Sequence, residues 1–165
     1  MRYGNVVGSR GSVIPIFKQQ AREGLVTLTD DRMTRFWITL PEAVEFVLTC
    51  MDLVQGGETF VPKIPSMRVM DLVGAVAPGC KVTMTGIRPG EKLHEVMVPS
   101  DESRLTLELK DHYVLEPAFP WWSEKPLKMS GARRVAEGFE YRSDNNPDLL
   151  SGAPLRKFLR DADAH

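Results

Sequence analysis

Apolar positions along this chain change period several times, and each change predicts an element. Residues 2–7 give a short strand, which the run Gly8-Ser9-Arg10-Gly11-Ser12 breaks. Val13, Ile14 and Phe17, with Ala21 a turn later, recur at helical spacing and predict a helix over 13–23 that Gly24 stops. Residues 26–29 alternate and are β-branched, as in a strand; 29–34 read as a loop, and 36–38 as a brief apolar stretch. Pro41 opens an amphipathic helix, with Ala43, Val44, Phe46, Val47, Leu48 and Met51 on the side to be buried and Glu42 and Glu45 outward. A strand over 59–62, a helix over 70–77 and a strand over 81–86 follow. A helix over 89–97 is predicted next, with Leu93, Val96 and Met97 facing in, then a hairpin of 105–109 with 113–115.

This alternation predicts an α/β fold. The organisation expected is one substrate-binding portion over 1–115 and a loosely ordered C-terminal extension over 116–165, where Pro, Ser, Asp and Asn are frequent. The strands are few and short for a self-sufficient doubly wound sheet. The first of them starts with no lead-in, so the expectation is the back part of a larger sheet.

A net charge of −1 removes any global field for polyanions, so an anion must be held by a local site and no nucleic-acid partner is expected. The longest apolar runs are only a few residues, and the first residues lack the apolar stretch of a signal peptide. No membrane partner is expected, and the location expected is cytoplasmic. Cys50 and Cys80 lie far apart with no metal-ligand spacing, which predicts two reduced thiols and no metal.

Three stretches can carry chemistry. Residues 5–13, "NVVGSRGSV", place small residues between a strand and a helix, where backbone N–H groups can approach a phosphate or cofactor; an ordinary turn with Ser12 as N-cap fits equally well. In "DDRMTRFW", Arg32 and Arg35 stand beside Asp30 and Asp31. Arg35, next to Phe36 and Trp37, is the arginine expected to turn inward as an anion clamp rather than a surface ion pair. In "GIRPGEK", Pro89 and Glu91 suit the mouth of a helix, while Arg88 and Glu91 suit a phosphate and the hydroxyls of a ribose. His94 and His112 lack partners at metal or triad spacing, and no complete nucleophile or acid–base set is present.

Five stretches taken in order, "RYGNVVGSRGSVIP", "TDDRMTRFWIT", "GGETFVPKIPSM", "GIRPGEKLHEVM" and "EGFEYRSDNN", resemble the extended short-chain dehydrogenase/reductases that act on nucleotide sugars. Within these the chain is most similar to the inverting UDP-N-acetylglucosamine 4,6-dehydratases of pseudaminic acid biosynthesis and flagellin glycosylation, in the CapD-like polysaccharide-biosynthesis family. The resemblance implies a Rossmann-like domain holding NADP, a smaller substrate domain and a homo-oligomer. It also implies a lyase reaction: oxidation at C4, loss of water across C5–C6, return of hydride to C6 and inversion at C5.

Position by position, the resemblance makes Asn5 a substrate contact beside the nicotinamide and Val6, Val7, Gly8, Ser9 and Arg10 a loop closing over the cofactor. It makes Thr27 a uridine contact, Arg35 and Arg88 diphosphate ligands, and Glu91 the ribose partner. The family's glycine-rich dinucleotide motif, its Asp-Lys pair and its Tyr/Met-x-x-x-Lys segment lie upstream of everything matched. The resemblance is therefore to the C-terminal part of such an enzyme, with the N-terminal dinucleotide-binding portion missing and no catalytic residue assigned. It implies a truncated or split form, inactive unless an N-terminal half is supplied in trans and unable to hold NADP alone. The alternative is a non-catalytic remnant or interaction module with residual UDP-sugar binding.

Overall fold

The computed structural model of the chain describes residues 1–9, 12–119 and 129–163. In chain order the elements are β1 (Asn5–Val6), α1 (Val13–Ala21), β2 (Leu25–Leu28), β3 (Thr34–Ile38), α2 (Leu40–Leu53), β4 (Thr59–Pro62), β5 (Ser66–Arg68), α3 (Val69–Val76) and β6 (Lys81–Met84). There follow β7 (Val96–Val98), a 3-10 turn (Ser100–Leu105), β8 (Thr106–Glu108), β9 (His112–Leu115), β10 (Arg133–Arg134), β11 (Tyr141–Arg142), β12 (Leu149–Leu150) and α4 (Gly152–Asp163).

These elements form two compact units, each built from three stretches of chain. The first takes Met1–Tyr3, Glu42–Lys63 and Val96–Arg142. Its sheet is antiparallel in the order β10-β8-β9-β4, with Phe60 opposite Val114 and Leu107 opposite Val114 on the other side. β7 pairs with β11. Phe60, Val114 and Cys50 are the buried centre, with Phe46 packed against them. At the start of the chain Arg2 donates its N–H to Phe60 O (2.9 Å) and pairs with Glu102.

The second unit takes Gly4–Pro41, Ile64–Glu95 and Ser143–His165. Its larger sheet runs β1-β3-β5-β12 and is mixed: β1 is parallel to β3, β3 antiparallel to β5, and β5 parallel to β12. A parallel pair, β2-β6, stands beside it in the same unit. The core gathers Ile14 and Phe17 from α1, Val26 and Leu28 from β2, Trp37 from β3, Leu72 and Val73 from α3, and Leu155 from α4. Fully burying one such side chain stabilises by about 1.5–3 kcal/mol.

The structure differs from the sequence pattern in four places. The strand expected over 2–7 shrinks to Asn5–Val6; just before it Gly4 lies against β3, where a Cβ would be 2.5 Å from Phe36 Cβ and from Phe36 O. The helix expected over 89–97 does not form. Pro89 and Gly90 occupy the centre of a turn, with Glu91 N–H donating to Arg88 O (3.0 Å) and Gly90 at φ 82°, a conformation no helix interior accepts. Val96 and Met97 then enter β7. On α2 only Ala43 and Cys50 are buried, whereas Val44, Leu48 and Met51, expected inward, are 50%, 58% and 67% exposed. The part of 116–165 that is described is not uniformly loose: it supplies β10, β11, β12 and α4, and Tyr141, Ser143 and Leu155 are buried.

Among the described residues no helix is long and apolar enough to cross a membrane, and no group of three or more His, Cys, Asp or Glu could hold a metal ion. Cys50 and Cys80 are free thiols.

Candidate functional site

A cleft of about 380 Å³ opens in the second unit. Asn5, Ser9, Thr27, Arg35, Trp37 and Glu91 are among its lining residues. They come from β1 and the turn after it, from β2 and β3, and from the segment after β6. Strand alternation explains the selection. In β2, Val26 and Leu28 point into the core, which leaves Thr27 outward; in β3, Arg35 and Trp37 share one face and Thr34 takes the other.

Each side chain is tied down differently. Asn5 Nδ2 donates to Phe36 O (3.3 Å) and to Glu95 Oε1 (3.2 Å). Thr27 N–H lies on the edge of β2 that has no strand partner among the described residues, and it donates to Gln20 Oε1 (3.1 Å); Gln20 Nε2 donates back to Thr27 Oγ1 (2.8 Å). Arg35 does turn inward, with its side chain 17% exposed. Its guanidinium donates to Thr34 O (2.7 Å), Leu93 O (3.0 Å) and Lys92 O (2.9 Å), so it staples the 92–93 backbone to β3. Its Nε lies 3.8 Å from Glu95 Oε1. Arg32 remains on the surface, paired with Asp30, whose carboxyl this guanidinium holds below the usual carboxylate range. Glu91 lines the cleft, and one of its carboxylate oxygens accepts the Arg88 N–H (3.2 Å), closing the Pro-Gly turn. Arg88 itself is exposed and does not line the cleft.

The loop after β1 is a tight turn. Ser9 N–H donates to Val6 O (3.3 Å), Gly8 sits at φ 75°, and Ser12 N–H donates to Ser9 O (3.0 Å). Val7 packs into the core and Ser9 faces the cleft. Arg10 lies outside the described residues.

Sequence reasoning passed over Glu95, which holds the site together. Its Oε2 accepts the Phe36 N–H (2.8 Å), while Oε1 meets Asn5 and faces Arg35. Its own backbone is clasped by Ser143: Glu95 N–H donates to Ser143 Oγ (2.9 Å) and Ser143 N–H donates to Glu95 O (2.9 Å). Ser143 Oγ in turn lies 2.6 Å from Thr34 Oγ1, and His94 Nδ1 lies 2.8 Å from that same hydroxyl. The only trace in the sequence was a second acid four residues after Glu91.

An α/β chain with a mixed sheet and a polar cleft built from strand edges and the turns beside them is the class that fold and site define. Family comparison makes this specific. The chain belongs to the polysaccharide biosynthesis protein family, whose model matches residues 1–117. It is 49% identical, over 96% of its own length and 49% of the relative's, to a UDP-N-acetylglucosamine 4,6-dehydratase (inverting) of Campylobacter jejuni. It is 43% identical to the capsular polysaccharide biosynthesis protein CapD of Staphylococcus aureus, over 62% of this chain and 18% of that one. The X-ray structure of Pen from Bacillus thuringiensis superposes with a TM-score of 0.85 at 34% identity, covering 99% of this chain and 50% of that one. The chain thus spans about half the length of the dehydratase and the solved structure it matches.

Proposed function

We propose that the chain is the nucleotide-sugar-binding part of an NADP-dependent UDP-N-acetylglucosamine 4,6-dehydratase, working in the cytoplasm with a complementary half that supplies the dinucleotide site and the proton-moving groups. The observation that carries this reading is the cleft: residues as far apart as Asn5, Thr27, Arg35 and Glu91 line one cavity, in a chain nearly half identical to such a dehydratase. In this reading Thr27 and the open edge of β2 meet the uracil, and Glu91 accepts the ribose hydroxyls. Arg35 meets the diphosphate along the guanidinium edge that Glu95 approaches only to 3.8 Å, and Arg88 reaches the diphosphate from its exposed turn. Asn5 takes the sugar.

The chain fits NADP only in part. Of the turn at Val6, Val7, Gly8 and Ser9, Ser9 lines the cleft, and Gly8 at φ 75° lets the backbone turn tightly beside it. These features suit one closing loop of a cofactor site and do not make a whole one. When bound, NADP would supply the hydride acceptor and donor. This chain's residues would hold the sugar and the nucleotide.

Two measurements test the reading. Calorimetry with UDP on the isolated chain is expected to show binding that Arg35→Ala and Arg88→Ala each weaken by roughly tenfold or more, as expected for a lost charge-assisted contact. Mixing the chain with the half of the Campylobacter dehydratase that it does not span, plus NADP and UDP-N-acetylglucosamine, is expected to yield a 4-keto product. UDP binding without product supports instead the alternative of a non-catalytic module with retained UDP-sugar affinity; absence of both sinks the nucleotide-sugar reading.

A further inference from the structure

Trp37 is 1% exposed and lines the cleft, yet its buried indole Nε1 has no hydrogen-bond partner among the described residues. Ser12 Oγ, on the same lining, is in the same state. Buried donors are almost always paired, because an unpaired one forfeits its hydration without replacement. Two donors without a partner among the described residues, both on side chains of residues that line one cavity, therefore point to an acceptor that comes from outside the chain.

The position in β3 says which part of a ligand that acceptor belongs to. Trp37 stands opposite Asn5 in the β1-β3 register, on the same face of β3 as Arg35 and one side-chain repeat beyond it. Thr27 and Glu91, the residues read as facing uracil and ribose, come from β2 and the 85–95 segment instead. We propose that Trp37 Nε1, assisted by Ser12 Oγ, donates to an oxygen of the hexose end of the nucleotide sugar, and so sets the preference for a nucleotide sugar over a free nucleotide. The inference rests on the nucleotide-sugar reading above. It adds a specificity residue to which the resemblance gave no role beyond its place in the stretch "TDDRMTRFWIT".

The test compares two ligands on the full chain. UDP and UDP-N-acetylglucosamine are titrated into the unmodified protein, into Trp37→Phe, and into a form carrying 3-benzothienylalanine at position 37, an isostere that lacks only the N–H. The unmodified chain is expected to bind the sugar nucleotide more tightly than UDP. Both variants are expected to lose that advantage, a fall of roughly tenfold for one neutral hydrogen bond, while their UDP affinity stays the same. Thermal stability of the isostere is expected not to fall, since the N–H it lacks had no partner in the free chain. Equal weakening toward both ligands, or unchanged selectivity in the isostere, overturns the assignment. If the unmodified chain binds UDP but shows no preference for the sugar nucleotide, the Trp37 assignment fails and nucleotide binding survives. Binding of neither ligand removes the nucleotide-sugar reading itself, and this assignment with it.

Discussion

α2 and α3 are both amphipathic in sequence, and they end differently. α3 buries Val69, Leu72 and Val73 in the core of the second unit. α2 buries Ala43 and Cys50 and leaves Val44, Leu48 and Met51 facing outward. Periodicity records which face a helix was selected to bury; it does not say that the chain at hand supplies the cover. An apolar stripe four residues apart on an exposed helix marks an interaction surface. The largest effect that separates the two helices is therefore a core truncation. Leu72→Ala, at a fully buried position, is expected to cost about 2–5 kcal/mol, read as a clear drop in thermal midpoint. Leu48→Ala is expected to stay within about 0.5 kcal/mol of the unmodified chain. A similar cost at both positions would show that α2 is already covered, and would break the comparison.

A second test sharpens the same contrast within the sheet of the second unit. Gly4→Ala places a methyl 2.5 Å from Phe36 Cβ and Phe36 O, and the backbone oxygen cannot rotate away. Overpacking of this kind costs about 1–3 kcal/mol. The strain falls between β1 and β3, next to Asn5, so the variant is expected to lose stability and UDP-sugar affinity together. Loss of stability with unchanged affinity would show that the Asn5 end of the cleft does not touch the ligand.

Glu95→Gln is expected to act mainly on binding. Gln keeps an acceptor for the Phe36 N–H, but it removes the charge that faces Arg35 and meets Asn5. Stability is expected to change by about 1 kcal/mol or less. Affinity for UDP is expected to change more than affinity for uridine, because only UDP carries the diphosphate that Arg35 is read as holding. Equal changes for the two ligands would reduce Glu95 to a structural tie of β3.

How much of this was legible beforehand follows from where each signal resides. α1, α3 and the β8–β9 hairpin were readable because their apolar spacing is local. The inward turn of Arg35 was readable from its apolar neighbours. The helix misread over 89–97 came from a Pro-Gly pair that serves both helix starts and turns; the positive φ of Gly90 settles which, and no spacing reports a φ. α4 was passed over although Leu155, Phe158, Leu159 and Ala162 recur at helical spacing and pack on the core; the Pro, Ser, Asp and Asn of the residues before it drew the reading toward a loose extension. Ser143 left no signal in the sequence, and Glu95 only that of a second acid four residues after Glu91. Their roles exist only once residues near 5, 36, 95 and 143 are brought together, and neither residue type nor spacing encodes that meeting.

The smallest expected effect lies in the first unit, on the side of α2 that is covered. His112 in β9 is buried between Phe46 of α2, with ring centroids 6.0 Å apart, and Phe60 of β4, at 5.9 Å. Its Nε2 has no hydrogen-bond partner among the described residues. Burial pushes the imidazole pKa down from its ordinary 6.5, nearby Lys63 adds to this, and Asp111 opposes it. The sign follows from linkage: the unfolded chain takes up the proton first, so stability is full above about pH 6.5 and declines as pH falls from there toward the lower folded value. Glu108, held below its usual range by the Lys63 hydrogen bond, stays ionised through this window and does not contribute to the decline. Denaturant melts of the unmodified chain and of His112→Phe, taken between pH 7.5 and pH 5.5, are expected to diverge. The unmodified chain should lose stability on acidification, and the variant should hold nearly constant. Parallel curves would mean that His112 is hydrated in solution, and that the packing of α2 over β4 and β9 is looser than its contacts with Phe46 and Phe60 require.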